Sequence, residues 1–342
     1  MTMTGESDAS DRVPPFDPHP VLRHPHLMTL LPLYWPRRGQ LRGIPSEARL
    51  FQVTPETRIL GHCHWHPDPK RHPTLILVHG LAGCSESHYM IGIAGKAWRA
   101  GLNVVRLNQR NCGGTEHLTP TLYNSGLSGD VRAVTVELSA HDGLAAIWLA
   151  GYSMGGNLIL RAAGEAGTAL PTLKGVIAVC PNIDPAACVD ALEERRNWIF
   201  HRYFVTSLHA HLRRKAPLFP GRFDLSRLAD RRTLREIDEA YTAPDGGYRS
   251  AADYYERTGA RHMLGSIRVP TLIITAQDDP FIPHRIFQSP ALRANPWIRL
   301  AAPPHGGHCG FIQRTRAQED RYWAENRLLD FITGHETRSC PS

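Results

Sequence analysis

An apolar run, Ala145-Ala146-Ile147-Trp148-Leu149-Ala150, stops at Gly151-Tyr152-Ser153-Met154-Gly155 and gives way to the helix-like stretch Gly156-Asn157-Leu158-Ile159-Leu160-Arg161-Ala162-Ala163. A buried strand that turns at once into a helix packs only if the residues flanking the turn leave room for both backbones. Gly151 and Gly155, which lack a Cβ, meet that demand. The serine between them is then held at the apex of a sharp turn at the end of a sheet. This strand, turn and helix form a nucleophile elbow, and they commit the chain to a layered architecture of strands and helices.

Apolar strands recur on either side. Residues 74–79, 103–108, 145–150, 175–180, 270–275 and 297–301 read as strands, with helical patterns between several of them. Such alternation predicts a mostly parallel sheet flanked by helices on both faces. Residues 46–69 predict a β-hairpin that turns at Thr54-Pro55-Glu56-Thr57. The polar residues 1–15 are expected to be disordered, and 16–45, carrying Pro18, Pro20, Pro25, Pro32 and Pro36, to form an extended arm on the body. The core then divides into 46–183 and 267–342. Between them, residues 184–266 show no convincing buried strand and predict a helical cap over the C-terminal edge of the sheet, where substrate choice is set.

A nucleophilic serine needs a general base and an acid that orients the base, in the chain order Ser, Asp/Glu, His for this architecture. The strand Val269–Thr275 runs into Ala276-Gln277-Asp278-Asp279-Pro280-Phe281-Ile282-Pro283, and Ile298–Ala301 runs towards Pro304-His305-Gly306-Gly307-His308-Cys309-Gly310-Phe311. Two carboxylates and two imidazoles are therefore on offer, and the glycine pair separates His305 from His308 so that only one reaches the serine. A fourth element, Leu75-Ile76-Leu77-Val78-His79-Gly80-Leu81-Ala82-Gly83, is a strand ending in His-Gly. It predicts an oxyanion hole built from the main-chain N–H groups of Leu81 and Met154.

Composition narrows the remaining classes. The net charge of +7 comes mainly from arginine, since lysine occurs only at 70, 96, 174 and 215, and basic residues are interspersed with acids as in Glu193-Glu194-Arg195-Arg196. No nucleic-acid motif accompanies the charge, so no nucleic-acid partner is expected. Gly113-Gly114 lacks a following Gly-Lys-Ser/Thr, which argues against a nucleotide site. Seven cysteines without a CxxC pair predict free thiols in a reducing compartment, and the start lacks a signal-peptide pattern, so a cytoplasmic protein is expected. His62, His64 and His66 alternate on a predicted strand. They are read as a polar, solvent-facing edge opposite Cys63 and Trp65, with no metal and no cofactor expected. Arg213-Arg214-Lys215, beside Leu218 and Phe219, reads as solvated helix surface and is the one place where transient membrane-surface contact is anticipated.

From about residue 16 to 331 the chain resembles the YheT-like branch of the α/β hydrolase superfamily, the esterases of AB-hydrolase family 4, which are related to animal abhydrolase-domain lipases and phospholipases. Beyond the elbow, the resemblance rests on His24-Pro25-His26-Leu27-Met28-Thr29-Leu30, on His79 to Tyr89, on Gly113-Gly114-Thr115-Glu116 and Ser125-Gly126-Leu127-Ser128, on Thr233 to Pro244, on Asp278-Asp279-Pro280-Phe281 and on His305 to Phe311. It implies the α/β hydrolase fold with a helical cap, a Ser153 nucleophile, His308 as base and an acid in the Asp-Asp-Pro loop. Related hydrolases place that acid four residues before a proline, here Pro283, which favours Asp279 over Asp278. Cys309 stands where a small aliphatic residue usually follows the base, and this makes the site sensitive to thiol reagents. The implied activity is hydrolysis of carboxylic esters, short to medium acyl or lipid-derived, through an acyl-enzyme and without a cofactor. An acyltransferase shares the same first half-reaction, whereas a binding or scaffold protein of this fold would need neither Ser153 nor His308.

Overall fold

The computed structural model describes residues 13–316 and 319–339. Eight strands form one sheet: β1 (Glu47–Thr54), β2 (Thr57–His64), β3 (Thr74–Val78), β4 (Asn103–Leu107), β5 (Ile147–Tyr152), β6 (Leu173–Val179), β7 (Thr271–Ile274) and β8 (Ile298–Ala301), in the order β1-β2-β4-β3-β5-β6-β7-β8. The hairpin β1–β2 and the pair β2–β4 are antiparallel, and every other pair is parallel. Strands β3, β4 and β5 are buried at every position. That burial accounts for the apolar runs of β3 and β5, because a parallel strand is covered on both faces, whereas β4 buries Asn103 and Arg106 as hydrogen-bonded polar groups.

The helices that cover it are α2 (His88–Arg99) with the C-terminal helix Trp323–Ser339 on one face, and α3 (Ser128–Ala140) with α4 (Met154–Ala166) on the other. Each turns its apolar stripe inward, as α2 does with Met90, Ile91, Ile93, Ala94 and Ala97. Between β6 and β7 the described chain is helical and holds no strand. Its main parts are α5 (Pro185–Glu193), α6 (Trp198–Lys215) and the helix Ala251–Thr258. No helix among the described residues is long and apolar enough to cross a membrane.

Three expectations need correction or qualification. The disorder expected over residues 1–15 lies outside the described residues as far as residue 12, but Pro14 and Pro15 are anchored. Their carbonyls accept from Trp323 Nε1–H and Arg316, each at 3.1 Å. Second, the three alternating histidines are not a solvent-facing row. β2 is an interior strand between β1 and β4, so His64 is buried, with Nδ1–H on the Pro45 carbonyl at 2.6 Å and Nε2 accepting from Arg106 Nε–H at 3.1 Å. His66 lies past the strand end and stacks on Trp98 and His72, with ring centroids 4.7 and 4.2 Å away.

Third, Arg213-Arg214-Lys215 is not a free basic run. Leu208, His211, Leu212 and Lys215 share the inner face of α6 at i, i+3, i+4 and i+7, which buries the lysine completely. Its ammonium donates to Asn111 Oδ1 at 2.6 Å and to the carbonyls of Glu116 and Thr119. Burial also pulls its pKa down to about 8. Arg214 Nε–H is engaged by Glu116 at 2.7 Å. The run fastens the helical insertion to the core and leaves little charge for lipid headgroups.

Candidate active site

Ser153 sits between β5 and α4 with φ 54° and ψ −117°, a conformation that costs a non-glycine residue roughly 1–3 kcal/mol. The surroundings impose it. Ser153 N–H donates to the Val179 carbonyl at 2.8 Å, and its own carbonyl accepts from Asn157 N–H at 3.1 Å. A Cβ on Gly151 would lie 2.4 Å from Gly155 O, and one on Gly155 would lie 2.2 Å from Val78 O. Neither position tolerates a side chain, which is the steric reason for the Gly-x-Ser-x-Gly spacing.

Asn157, one turn into α4, went unremarked in the sequence. Its buried amide donates to Ser125 O and Thr258 O, both at 3.0 Å, and accepts from Ala260 N–H at 2.7 Å. It ties the elbow helix to the end of the insertion. A polar side chain set directly before the apolar run Leu158-Ile159-Leu160 is the signal that marks it.

The two acids and two histidines sort into two pairs. His308 Nδ1–H donates to Asp279 Oδ2 at 2.8 Å, with the carboxylate fully buried. His305 Nδ1–H faces Asp278 Oδ2 at 3.2 Å, with the imidazole 46% exposed. Asp279 is fixed by its other oxygen, which accepts from the amides of Phe281 (3.1 Å) and Ile282 (2.9 Å). Asp278 accepts from Gly307 N–H at 3.0 Å and so shapes the loop around His308. Burial opposes charge on His308, but the Asp279 carboxylate and the Cys180 thiol beside the ring outweigh it and raise its pKa above the ordinary histidine value.

The histidine loop is clamped from a distant part of the chain. Helix α1 (Pro25–Leu30) packs beneath it, and His308 N–H donates to Thr29 Oγ1 at 2.9 Å while that hydroxyl donates to Pro25 O at 2.7 Å. Gly307, at φ 56°, admits this contact, since a Cβ there would meet Pro25 O at 2.7 Å. Above the ring, Phe281 lies 4.1 Å from His308, centroid to centroid.

Beside Ser153 passes the backbone that follows β3. A Cβ on Gly80 would come within 3.1 Å of Ser153 Cβ. The N–H of Gly80 donates to Tyr89 Oη at 3.0 Å and that of Ala82 to Tyr123 Oη at 3.1 Å, fixing the chain on both sides of Leu81. His79 is buried and held neutral, its pKa driven to about 4 by burial. It accepts from Gln109 N–H and donates to Gly80 O. Leu81, Ser153 and Met154 line one pocket together with Val189, Leu192, Phe204 and Leu208 from the insertion.

No hydrogen bond joins Ser153 Oγ to His308 among the described residues. The two halves meet through neighbours. Val179 O accepts the Ser153 amide and lies 3.9 Å from Cys309 Sγ, and Phe281 lines the Ser153 pocket while lying against His308. Cys180 completes the arrangement by accepting from Cys309 N–H at 3.4 Å, and burial holds its thiol neutral, well above the ordinary cysteine value. Among the described residues, Cys180, His308 and Cys309 are the group whose ligand atoms lie close enough, within 4.8 Å of one another, to hold a metal ion.

Comparison with known proteins agrees with this geometry at the level of the fold. The sequence profile of the alpha/beta hydrolase fold matches residues 73–315. The Escherichia coli (strain K12) protein "Putative esterase YheT" is 33% identical over 92% of each chain. "Phospholipase ABHD3" of Mus musculus is 29% identical over 73% of this chain, which spans only 61% of that relative's length. Among solved structures, the Pyrococcus furiosus esterase Pf2001 superposes with a TM-score of 0.58 at 14% identity, covering 88% of this chain and 93% of its own.

Proposed function

The chain belongs to the α/β hydrolases, in their YheT-like branch, and from that premise we propose that it is a serine esterase that cleaves carboxylic esters through an acyl-enzyme. Ser153 Oγ attacks the ester carbonyl as His308 Nε2 takes its proton, and Asp279 holds the opposite ring nitrogen and balances the imidazolium. The N–H groups of Leu81 and Met154 receive the oxyanion, and each such donor is worth about 3 kcal/mol in the transition state. The alcohol leaves with the proton held by His308. Water then attacks the acyl-enzyme, losing a proton to His308, which returns one to Ser153.

The observation that carries the reading is the buried 2.8 Å pair of Asp279 and His308, on the loops that follow β7 and β8, in a sheet whose β5 ends at a conformationally strained serine. The apolar wall supplied by Val189, Leu192, Phe204 and Leu208 supports a reading in which residues 184–266 cap the site and select an acyl chain of short to medium length. A lipid-derived ester is the natural candidate, a reading to which the phospholipase relative's name lends weight.

The test is initial rate on a p-nitrophenyl ester series of increasing acyl length, wild type beside Ser153→Ala. The variant is expected to lose on the order of 10⁴-fold or more in kcat while keeping its circular dichroism spectrum. Equal turnover by both proteins would remove Ser153 from the mechanism. Product analysis with a competing alcohol separates hydrolysis from acyl transfer.

A further inference from the structure

Of the twelve exposed large apolar or aromatic side chains among the described residues, eight fall in two short segments, five in residues 21–34 and three in 198–203. The segments touch: His26 Nε2 lies 3.1 Å from Asn197 Oδ1, and the His26 ring packs on Phe200 at 5.3 Å. On α6, Phe200, Leu208 and Leu212 turn inward, so the outward face at 198, 199 and 203 should be polar by helical periodicity. It is Trp198, Ile199 and Tyr203 instead, each about half exposed or more. Leu27 and Leu31, one turn apart on the arm, add to the same side of the molecule.

A face of this kind, left to water, marks an interaction site. Residues 1–12 carry only Met1 and Met3 as large apolar side chains, too few to cover it. Its charge selects the occupant. Arg23, Arg195 and Arg202 are exposed around it and make no ion pair among the described residues, while Arg196 is paired with Glu194 at 2.7 Å. Apolar and aromatic anchors ringed by arginine match a lipid surface of negative charge.

The position matches as well. Phe200 and Phe204, on the inner side of the same helical turns, pack on Phe281 at 5.3 and 6.1 Å, and Phe281 lies against His308. Phe204 and Phe281 also line the Ser153 pocket. The width of one helix therefore separates the exposed face from the pocket wall. We propose that the first turns of α6, together with the arm around Leu27 and Leu31, form a docking surface that seats the protein on anionic lipid with its pocket at the lipid boundary.

The full-length chain carrying Ser153→Ala is sedimented with vesicles of phosphatidylcholine containing about a quarter phosphatidylglycerol, beside pure phosphatidylcholine. With the nucleophile removed, binding is read without lipid turnover, so the result is independent of the serine mechanism. Binding to the anionic vesicles is expected to exceed that to neutral ones by about tenfold or more and to weaken with salt. Adding W198S, I199S and Y203S together should reduce binding by about tenfold or more. In the wild-type background the same three changes should leave turnover of a water-soluble short-chain ester within about twofold, because none of the three lines the pocket. Arg195→Glu with Arg202→Glu provides a second variant that spares the apolar contacts and should also weaken binding.

Failure of the unaltered face to bind anionic vesicles, or undiminished binding by both variants, overturns the proposal. So does a concentration-dependent dimer that the triple change dissolves, since a second copy would then be the occupant.

Discussion

Replacing Thr29 with valine should cripple turnover from a position remote in sequence from every group that touches substrate. The two side chains are nearly the same shape, so the change removes a hydroxyl and little else. That hydroxyl accepts from His308 N–H at 2.9 Å and donates to Pro25 O at 2.7 Å, at a residue 8% exposed. Valine leaves the His308 N–H without its partner, while Pro25 O keeps its main-chain bond within α1, and an unsatisfied donor of this kind costs about 1–3 kcal/mol. The loop can avoid that penalty only by moving His308 N–H towards water, which takes the imidazole out of line with Asp279. If the whole penalty falls on the productive position of the loop, kcat drops by roughly 5- to 150-fold, at about 1.4 kcal/mol per tenfold. KM for a short ester should change little, because Thr29 does not line the pocket. Steady-state kinetics on a soluble p-nitrophenyl ester provides the measurement, with Thr29→Ser, which keeps the hydroxyl, expected to restore most of the rate. Valine and serine variants with the same kcat as wild type would show that the arm does not position the base.

The remaining predictions concern the serine and the pH profile. Because Ser153 is held at φ 54°, Ser153→Gly should abolish turnover yet raise the melting temperature relative to Ser153→Ala, as relief of about 1 kcal/mol of backbone strain requires; an equal or lower melting temperature would show the turn to be unstrained. Activity should still be climbing above neutral pH, because the proposed mechanism requires His308 to be neutral and the Asp279 carboxylate raises its pKa above the ordinary value of about 6.5. By linkage the same shift stabilises the fold below about pH 6.5, and that contribution is lost as pH rises through the raised value. Asp279→Asn should lower kcat by roughly 10⁴-fold and bring the midpoint of the pH–rate curve down; an unmoved midpoint would assign the shift to another group.

The parts of this molecule that its sequence discloses are those where local sterics or burial leave one solution. Gly151 and Gly155 are required because backbone oxygens stand 2.4 and 2.2 Å from where their Cβ atoms would be, so the elbow can be read at a glance. The central strands are legible for a similar reason, since burial on both faces demands an unbroken apolar run. The hairpin turn falls at Pro55-Glu56, inside the expected four residues. Burial that depends on neighbours far along the chain is not legible. His64 reads as solvent-facing because nothing in residues 57–66 reveals that β4 closes the far edge of β2. Lys215 has the inward spacing of Leu208 and Leu212, but its charge reads as exposed, because the three acceptors that satisfy its ammonium come from residues 111–119, far along the chain.

The choice between Asp278 and Asp279 shows where the two kinds of information meet. Both carboxylates follow β7, and both hold something in the histidine loop: one His308 through its ring, the other His305 and the Gly307 amide. The spacing to Pro283 that the family resemblance supplies favours Asp279, but the local contacts alone do not rank them, because each has a histidine within reach and each accepts a main-chain N–H. What separates them is solvent. The carboxylate of Asp279 is completely enclosed, and an enclosed carboxylate facing one imidazole keeps its charge for that ring, whereas the His305 side of the other pair is open to water, where the same attraction is screened. The histidine side of the pair is held by Phe281 above the His308 ring and by α1 beneath the loop, the latter made by a segment 279 residues earlier in the chain. On the proposed mechanism the arm positions the base, and a chain lacking residues 16–45 should retain Ser153 in its strained turn while losing the His308 contact and with it ester turnover, read by initial rate on a soluble p-nitrophenyl ester.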